Sequence, residues 1–420
     1  MQAVLWIGPD ADPLRRVAGL SLAARNERVA RSAGAQRVFF VCPSPTRAAE
    51  LRGALVSELP DCPVVSLDEL PASASVTHDS HADEDVLLLC AHAVYHPEAV
   101  ALLAAPHVRE VSSLVDASGR ALGAYRLRAE TLREVLRRGA GSLTEVERAV
   151  TDARIPRQEV ATGSGWSVIP VGDAASARLA ADKLWAACRK PVDGLVSRNL
   201  NRHISLWISR RLVDTRITPN HISLLCIGLG LAAGALAAQG GYAWILAGAA
   251  VFQLNSIVDG IDGELARVTW AHSRLGELLD SVGDNLANFC FFGALAWASW
   301  RGGEAQSALA GVAGLGLWSL YLAYLYTHLY RLKRGDVLLV TRPAQGASGL
   351  VVGLTRLGRT LLRRDSFVML TFLLALAGAA HHMLVVVFLG GLSVFSYACV
   401  SLLAASRLLR ARRRASRAGA

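Results

Sequence analysis

The chain lacks the features of a disulfide-stapled, zinc-binding or nucleic-acid-binding protein. Its 420 residues include only seven cysteines, none in a Cys-x2-Cys pair. Thiols scattered in this way argue against a disulfide framework and a zinc site, and for a reducing compartment. No basic stripe interleaves with aromatics, so the net charge of +10 does not describe a nucleic-acid surface. Residues 1–16 lack a basic segment followed by a long apolar run, and no signal peptide is expected. Residues 1–190 contain no long apolar stretch, and no internal repeat stands out.

The apolar content is high at 52%, and it is concentrated in residues 222–406. A chain of this length suggests two or three domains. In the first, short apolar runs at Ala3–Ile7, Arg37–Cys42, Val64–Leu67, Asp85–Cys90, Ala121–Leu127 and Ser167–Val171 read as strands. Helical patterns at Leu20–Ala33, Ser44–Leu59, Pro97–Ala104, 129–138, 143–152 and Ala174–Arg189 alternate with them, and 71–83 reads as a loop. This alternation predicts an α/β domain over 1–190 with a mostly parallel sheet.

Residues 191–217 form an amphipathic juxtamembrane linker in which Leu206 and Trp207 mix with Arg202, Arg210 and Arg211, as in a helix lying in a membrane interface. Residues 218–406 hold six apolar stretches near spanning length: His221–Gln239, Tyr242–Val258, Leu278–Trp300, Ala305–Leu325, Ser366–Ala380 and 382–404. Arginines crowd the flanks, the link after the fourth stretch and the tail 407–420. The opposite connections are very short. Positive charge of this kind marks the cytoplasmic face and touches anionic lipid, so both flanks and the tail are expected there.

One cluster stands out within this region: Asp259-x2-Asp262-Gly263-x2-Ala266-Arg267-x8-Gly276-x3-Asp280-x3-Asp284. At about 100° per residue, the positions from Asp259 to Ala266 share one helix face, and Gly276, Asp280 and Asp284 share a face of the next helix. A short link between them turns the two faces together. Charges at membrane depth are costly and are seldom idle. Four carboxylates cannot all stay ionised at low dielectric unless cations neutralise them. Their oxygens suit Mg²⁺ or Mn²⁺, and a pair of ions suits transfer of a phosphoryl-type group. The glycines let a bulky ligand approach the backbone, and Arg267 is a natural phosphate partner. Glu264 and Glu277 fall off these faces and read as solvated or supporting groups. A salt-bridge cluster would need more cations than Arg267 and Arg274 supply.

This pattern matches every signature position of the CDP-alcohol phosphotransferases, and Leu195 to Ala404 resembles that family. The resemblance implies an integral-membrane enzyme that moves a substituted phosphate from a CDP-linked donor to an acceptor hydroxyl, with release of CMP. Asp259, Asp262 and Asp280 would then hold two Mg²⁺ or Mn²⁺ ions, and Asp284 would serve as ligand and general base. Gly263, Ala266 and Gly276 would admit the cytidine, and Arg267 would contact the donor phosphates. The family's acceptors include polyols and polyol phosphates, for which Arg364 and Asp365 are the candidate pair. Homodimerisation through the spans is also implied.

Ala18–Ser21, Ser32–Val38 and the run Val86–Pro97 resemble, in turn, sugar-phosphate nucleotidyltransferases. Together the resemblances imply an α/β nucleotidyltransferase-like, Rossmann-like N-terminal domain followed by an all-α six-span transmembrane domain. That order is similar to the fused enzymes that make CDP-inositol and then di-myo-inositol phosphate phosphate. Two departures matter. Gly8–Arg16 has too few glycines to cradle a triphosphate, and Ala91 stands where a metal-binding Asp is expected. The first domain is therefore expected to be inactive, with His92 and His96 as solvated loop residues. CDP-diacylglycerol and a CDP-polyol remain competing donors. A bifunctional enzyme and a non-enzymatic transporter or scaffold are the alternatives.

Overall fold

A computed structural model describes residues 1–8, 11–66, 69, 85–105, 112–115, 121–128, 132, 158–160, 166, 168–190, 193–332, 363–396 and 398–399. The helices expected at 129–138 and 143–152, the loop at 71–83, most of the basic link after the fourth span and the tail 407–420 lie outside the described residues. The chain divides into two compact units, Met1–Cys188 with Val268–Trp270, and Arg189–Arg267 with Ala271–Ala420.

The first unit is α/β. Its strands are β1 (Gln2–Trp6), β2 (Arg16–Val17), β3 (Leu20–Ser21), β4 (Arg37–Cys42), β5 (Val64–Ser66), β6 (Asp85–Cys90), β7 (Ala93–Tyr95), β8 (Ser112–Val115), β9 (Ala121–Arg128), β10 (Gln158–Val160) and β11 (Val168–Pro170). Its helices are α1 (Leu22–Ser32), α2 (Pro45–Val56), α3 (Pro97–Leu103) and α4 (Ala174–Ala187). The main sheet runs β10-β8-β9-β6-β1-β4-β5. It is mostly parallel, as expected. Only β9 runs antiparallel to its neighbours, β6 and β8. Central strands such as Val86–Leu89 are buried on both faces, which is why they read as unbroken apolar runs. Side-chain caps start the helices, with Ser21, Ser44 and Asp173 each accepting a backbone N–H.

The second unit is helical. A π-turn at Ser197–Asn201 leads into α5 (Arg202–Leu212), then α6 (Pro219–Ala238), α7 (Tyr242–Thr269), α8 (Arg274–Arg301), α9 (Ala305–Leu332), α10 (Arg364–Leu376) and α11 (His382–Ser396). Thr218 caps α6 with Pro219 in its first turn. Among the described residues, three helices are long and apolar enough to cross a membrane: Pro219–Ala238, Tyr242–Thr269 and Ala305–Thr327. The stretches expected at Leu278–Trp300 and Ser366–Ala380 are helical without meeting that length and composition, and 382–404 lies only partly within the described residues. Asp280, Asp284, Asn285 and Asn288 make α8 polar, and α10 is short.

The packing follows membrane logic. Leu224, Leu225 and Leu231 of α6 and Leu309, Val312 and Leu320 of α9 point outward. Small residues face inward. A Cβ on Gly230 would lie 2.9 Å from the Ala287 Cα, and one on Gly234 would lie 2.9 Å from the Cys290 carbonyl oxygen. Close backbone contact of this kind holds helices together where lipid removes the hydrophobic driving force. The turn from α6 to α7 needs Gly240 and Gly241, both at positive φ (75° and 76°).

Candidate metal and phosphotransfer site

α7 does not stop at Val258. It continues as one helix to Thr269, so the first half of the motif keeps its expected face. Four residues, 270–273, reverse the chain. Ser273 then caps α8 by accepting from the Gly276 amide at 2.9 Å. This juxtaposition brings ligand oxygens of Asp259, Asp280 and Asp284 within 4.8 Å of one another. Such an oxygen-only donor set could hold a hard divalent cation.

Asp262, the fourth carboxylate, lies outside this triad. It is buried and accepts from the Ser223 hydroxyl of α6 at 2.7 Å. Arg364 enters from α10. One guanidinium nitrogen pairs with Asp259 at 2.8 Å and also with Asp284, and another donates to the Asn255 side chain at 2.7 Å. Three carboxylates against one guanidinium give −3 + 1 = −2, the charge that one divalent cation neutralises.

Arg267 folds back along its own helix, 3.1 Å from where a Gly263 Cβ would stand. Its Nε and Nη2 are buried without a hydrogen-bond partner among the described residues. Such a group is costly unless an anion satisfies it. A Cβ on Gly276 would sit 2.9 Å from the Asn220 side-chain oxygen, so any side chain there would have to push that amide aside. Ala266 is half-buried between Gly263 and Arg267 along the same helix.

A cavity of about 380 Å³ adjoins the triad, lined by Asp259, Asp284, Arg363 and Arg364 together with Lys190, Asp193 and Arg202. Asp365 also lines it, but its carboxylate accepts from the Ser197 amide at 2.8 Å and lies against Gly194. It tethers the segment before α5. Asp193 faces Arg202 in a two-bond pair at 3.1 and 3.3 Å. Burial alone would raise the Asp193 pKa, but the Arg202 and Lys190 N–H donors hold it below the usual carboxylate range.

Several residues of the site were not singled out from sequence. Asn255 carries a readable signal, since it stands one turn before Asp259. Ser223 carries none, because its role depends on a partner 39 residues away. Glu264, expected to be solvated or supporting, is fully buried. In the first unit, the expectation of solvated histidines needs correction. His92 and His96 are half-buried, and His96 stands edge-on to Trp166 at 5.0 Å. Burial lowers the pKa of both imidazoles.

Comparisons with known proteins place this geometry in context. Residues 216–413 match the CDP-alcohol phosphatidyltransferase family. The bifunctional IPC transferase and DIPP synthase of Aquifex aeolicus is 42% identical over 104 residues, which cover 25% of this chain and 23% of that protein. Its namesake in Rubrobacter xylanophilus is 38% identical over 132 residues, covering 31% and 28%. A phosphatidylinositol phosphate synthase of Corynebacterium glutamicum is 27% identical over 104 residues, covering 25% and 47%. Each match thus spans less than half of the relative. A solved nucleotidyl transferase from Methanothermobacter thermautotroptrophicus covers 44% of this chain and 97% of its own at 14% identity, with a TM-score of 0.35, below what a shared fold requires. The C-terminal half therefore carries a CDP-alcohol phosphotransferase domain, and its apolar helices make the protein an integral membrane protein.

Proposed function

We propose that the protein is a divalent-metal-dependent CDP-alcohol phosphotransferase, and that it joins the phosphate of a CDP-linked donor to a hydroxyl of a phosphorylated polyol with release of CMP. The observation that supports this reading is the Asp259, Asp280 and Asp284 triad, two of whose members line a cavity that also carries Lys190, Arg363 and Arg364. Two Mg²⁺ or Mn²⁺ ions bound there would neutralise the donor's pyrophosphate and the charge developing on departing CMP. Asp259, Asp280 and Asp284 would hold them, with Asp262 beside Ser223 completing the set. Asp284 also takes the proton of the acceptor hydroxyl as that oxygen attacks phosphorus and the bond to CMP breaks. Arg267, with two unsatisfied nitrogens, holds the donor phosphates. Gly263, Ala266 and Gly276 make room for the nucleoside. On the cavity side, Arg364 orients the acceptor phosphate with help from Arg363 and Lys190, while Asp365 keeps the wall in place.

The domain layout belongs to the same proposal: an α/β unit over 1–190, an interfacial linker over 191–217, six spans over 218–406 and a basic tail over 407–420. The N-terminal unit, the site and the tail all lie on the cytoplasmic side. The N-terminal unit is an inactive nucleotidyltransferase-like domain. Ala91, buried at the end of β6, has no metal ligand to offer, so the CDP-linked donor comes from another enzyme. Four of the curated relatives named bifunctional IPC transferase and DIPP synthase favour an inositol phosphate-class acceptor.

The test is a CMP-release screen of purified protein in Mg²⁺, crossing CDP-diacylglycerol and CDP-inositol with inositol phosphate and glycerol phosphate. Release above the no-acceptor control in at least one pairing is expected, and the productive pairing identifies the donor. No release in any pairing contradicts the proposal.

A further inference from the structure

Glu264 lies inside the motif but on the far side of α7 from the carboxylate face. It is fully buried, and its carboxylate oxygens accept from three groups of one helix: Arg202 Nη1 at 2.7 Å, Ser205 Oγ at 2.6 Å and Ser209 Oγ at 2.7 Å. Arg202, Ser205 and Ser209 are spaced i, i+3 and i+7, so α5 presents a single polar stripe to this one acid. One turn earlier, Gly260 allows the close approach. A Cβ there would meet Ser205 Oγ at 3.2 Å and Arg202 Nη1 at 3.3 Å.

Arg202 continues the chain of contacts. Two of its nitrogens grip Asp193, and its third reaches Glu264 and the Gly260 carbonyl oxygen. With its charge shared between two acids, Arg202 is committed to structure and is not the cation that receives an anionic substrate. Asp193, Arg202 and Ser205 line the cavity together with Asp259, Asp284 and Arg364.

We propose that Glu264 is a positioning residue: it clamps α5 to the back of the motif helix, and through Arg202 and Asp193 it sets the acceptor-side wall at a fixed distance from the reacting carboxylates. The clamp's effect on turnover rests on the phosphotransfer proposed for this site. Loosening it weakens acceptor binding and leaves the donor and metal face of α7 in place. A displacement of about 1 Å in such a wall is enough for a tenfold or larger effect.

The experiment uses the full-length protein in detergent and has two arms. In the first, hydrogen exchange of the 202–212 amides is compared between wild type and Glu264→Ala. Faster exchange confined to α5 is expected, and unchanged exchange overturns the clamp whether or not any donor is turned over. In the second, CMP release is titrated separately with acceptor and donor. Glu264→Ala is expected to raise acceptor KM about tenfold with donor KM and Mg²⁺ dependence unchanged, and Glu264→Gln, which keeps the shape and most of the hydrogen bonds, restores most of the loss. The double variant Ser205→Ala/Ser209→Ala leaves the charges intact and serves in both arms if Glu264→Ala does not fold. Its expected rise in acceptor KM is about threefold. An unchanged acceptor KM, or an equal rise in donor KM, overturns the proposal. Failure of wild type to release CMP would count against the phosphotransfer itself, and the exchange arm would still decide the clamp.

Discussion

Asp280→Asn separates the cost of the carboxylate cluster from its use. Asp280 is the most exposed of the triad. Among the described residues it forms no ion pair, whereas Asp259 and Asp284 share Arg364. Neutralising it removes one charge without orphaning the guanidinium. Two carboxylate charges at most 4.8 Å apart repel by at least about 3.5 kcal/mol at an effective dielectric of 20. Exposure screens that repulsion to about 1 kcal/mol, or roughly 3 °C in melting temperature. In EDTA the variant is therefore expected to melt above wild type. Divalent cation reverses the order. At a hundredfold excess over its Kd, a bound ion stabilises wild type by about 2.7 kcal/mol. Losing one of three anionic ligands weakens binding by about 100-fold, and the same concentration then contributes only about 0.4 kcal/mol. Tryptophan-fluorescence melts in detergent, in EDTA and across a Mg²⁺ or Mn²⁺ titration, should show the two curves cross. Parallel curves with the same metal-dependent rise would refute the assignment of Asp280 as a ligand.

Arg364→Gln leaves Asp259 and Asp284 without their cation. It is expected to lower the melting temperature in EDTA by an amount equivalent to about 2 kcal/mol and to enlarge the rise on adding Mg²⁺. A variant as stable as wild type in EDTA would show that the ion pairs contribute nothing. In the N-terminal unit, folding holds the His92 and His96 pKa values below their unfolded value. The unfolded chain therefore binds more protons below about pH 6.5. Stability is fully present well above that value and is lost as pH falls below it, by an amount that solvent screening keeps small. Hydrogen exchange of β6 and β7 in the intact protein at pH 7 and 5.5 reads this effect, and His92→Gln with His96→Gln should flatten it.

Where a local pattern decided the structure, it could be read from the residues. β4 and β6 match their expected bounds because both are runs buried from their second residue on and closed by polar or turn residues. The motif's helical spacing placed Asp259, Asp280 and Asp284 on facing surfaces, and they meet. The apolar stretch ends at Val258, but carboxylates facing a bundle interior do not interrupt backbone hydrogen bonding, and α7 runs on through the motif to Thr269. The two-residue strands β2 and β3 are too short to carry a period. Asp262 and Glu264 show the limit of face arguments. Asp262 shares the triad's face yet bonds to Ser223 of α6, and Glu264 leaves that face yet is buried because α5 covers it. Both outcomes depend on which helix packs alongside, which a single helix's spacing does not record.

The most direct test of phosphotransfer at this site is the rate of CMP release by purified wild type and Asp280→Asn under the productive donor–acceptor pairing in Mg²⁺. A loss of at least about 100-fold, with the variant still folded, is the expected result. Full CMP release from Asp280→Asn would contradict it.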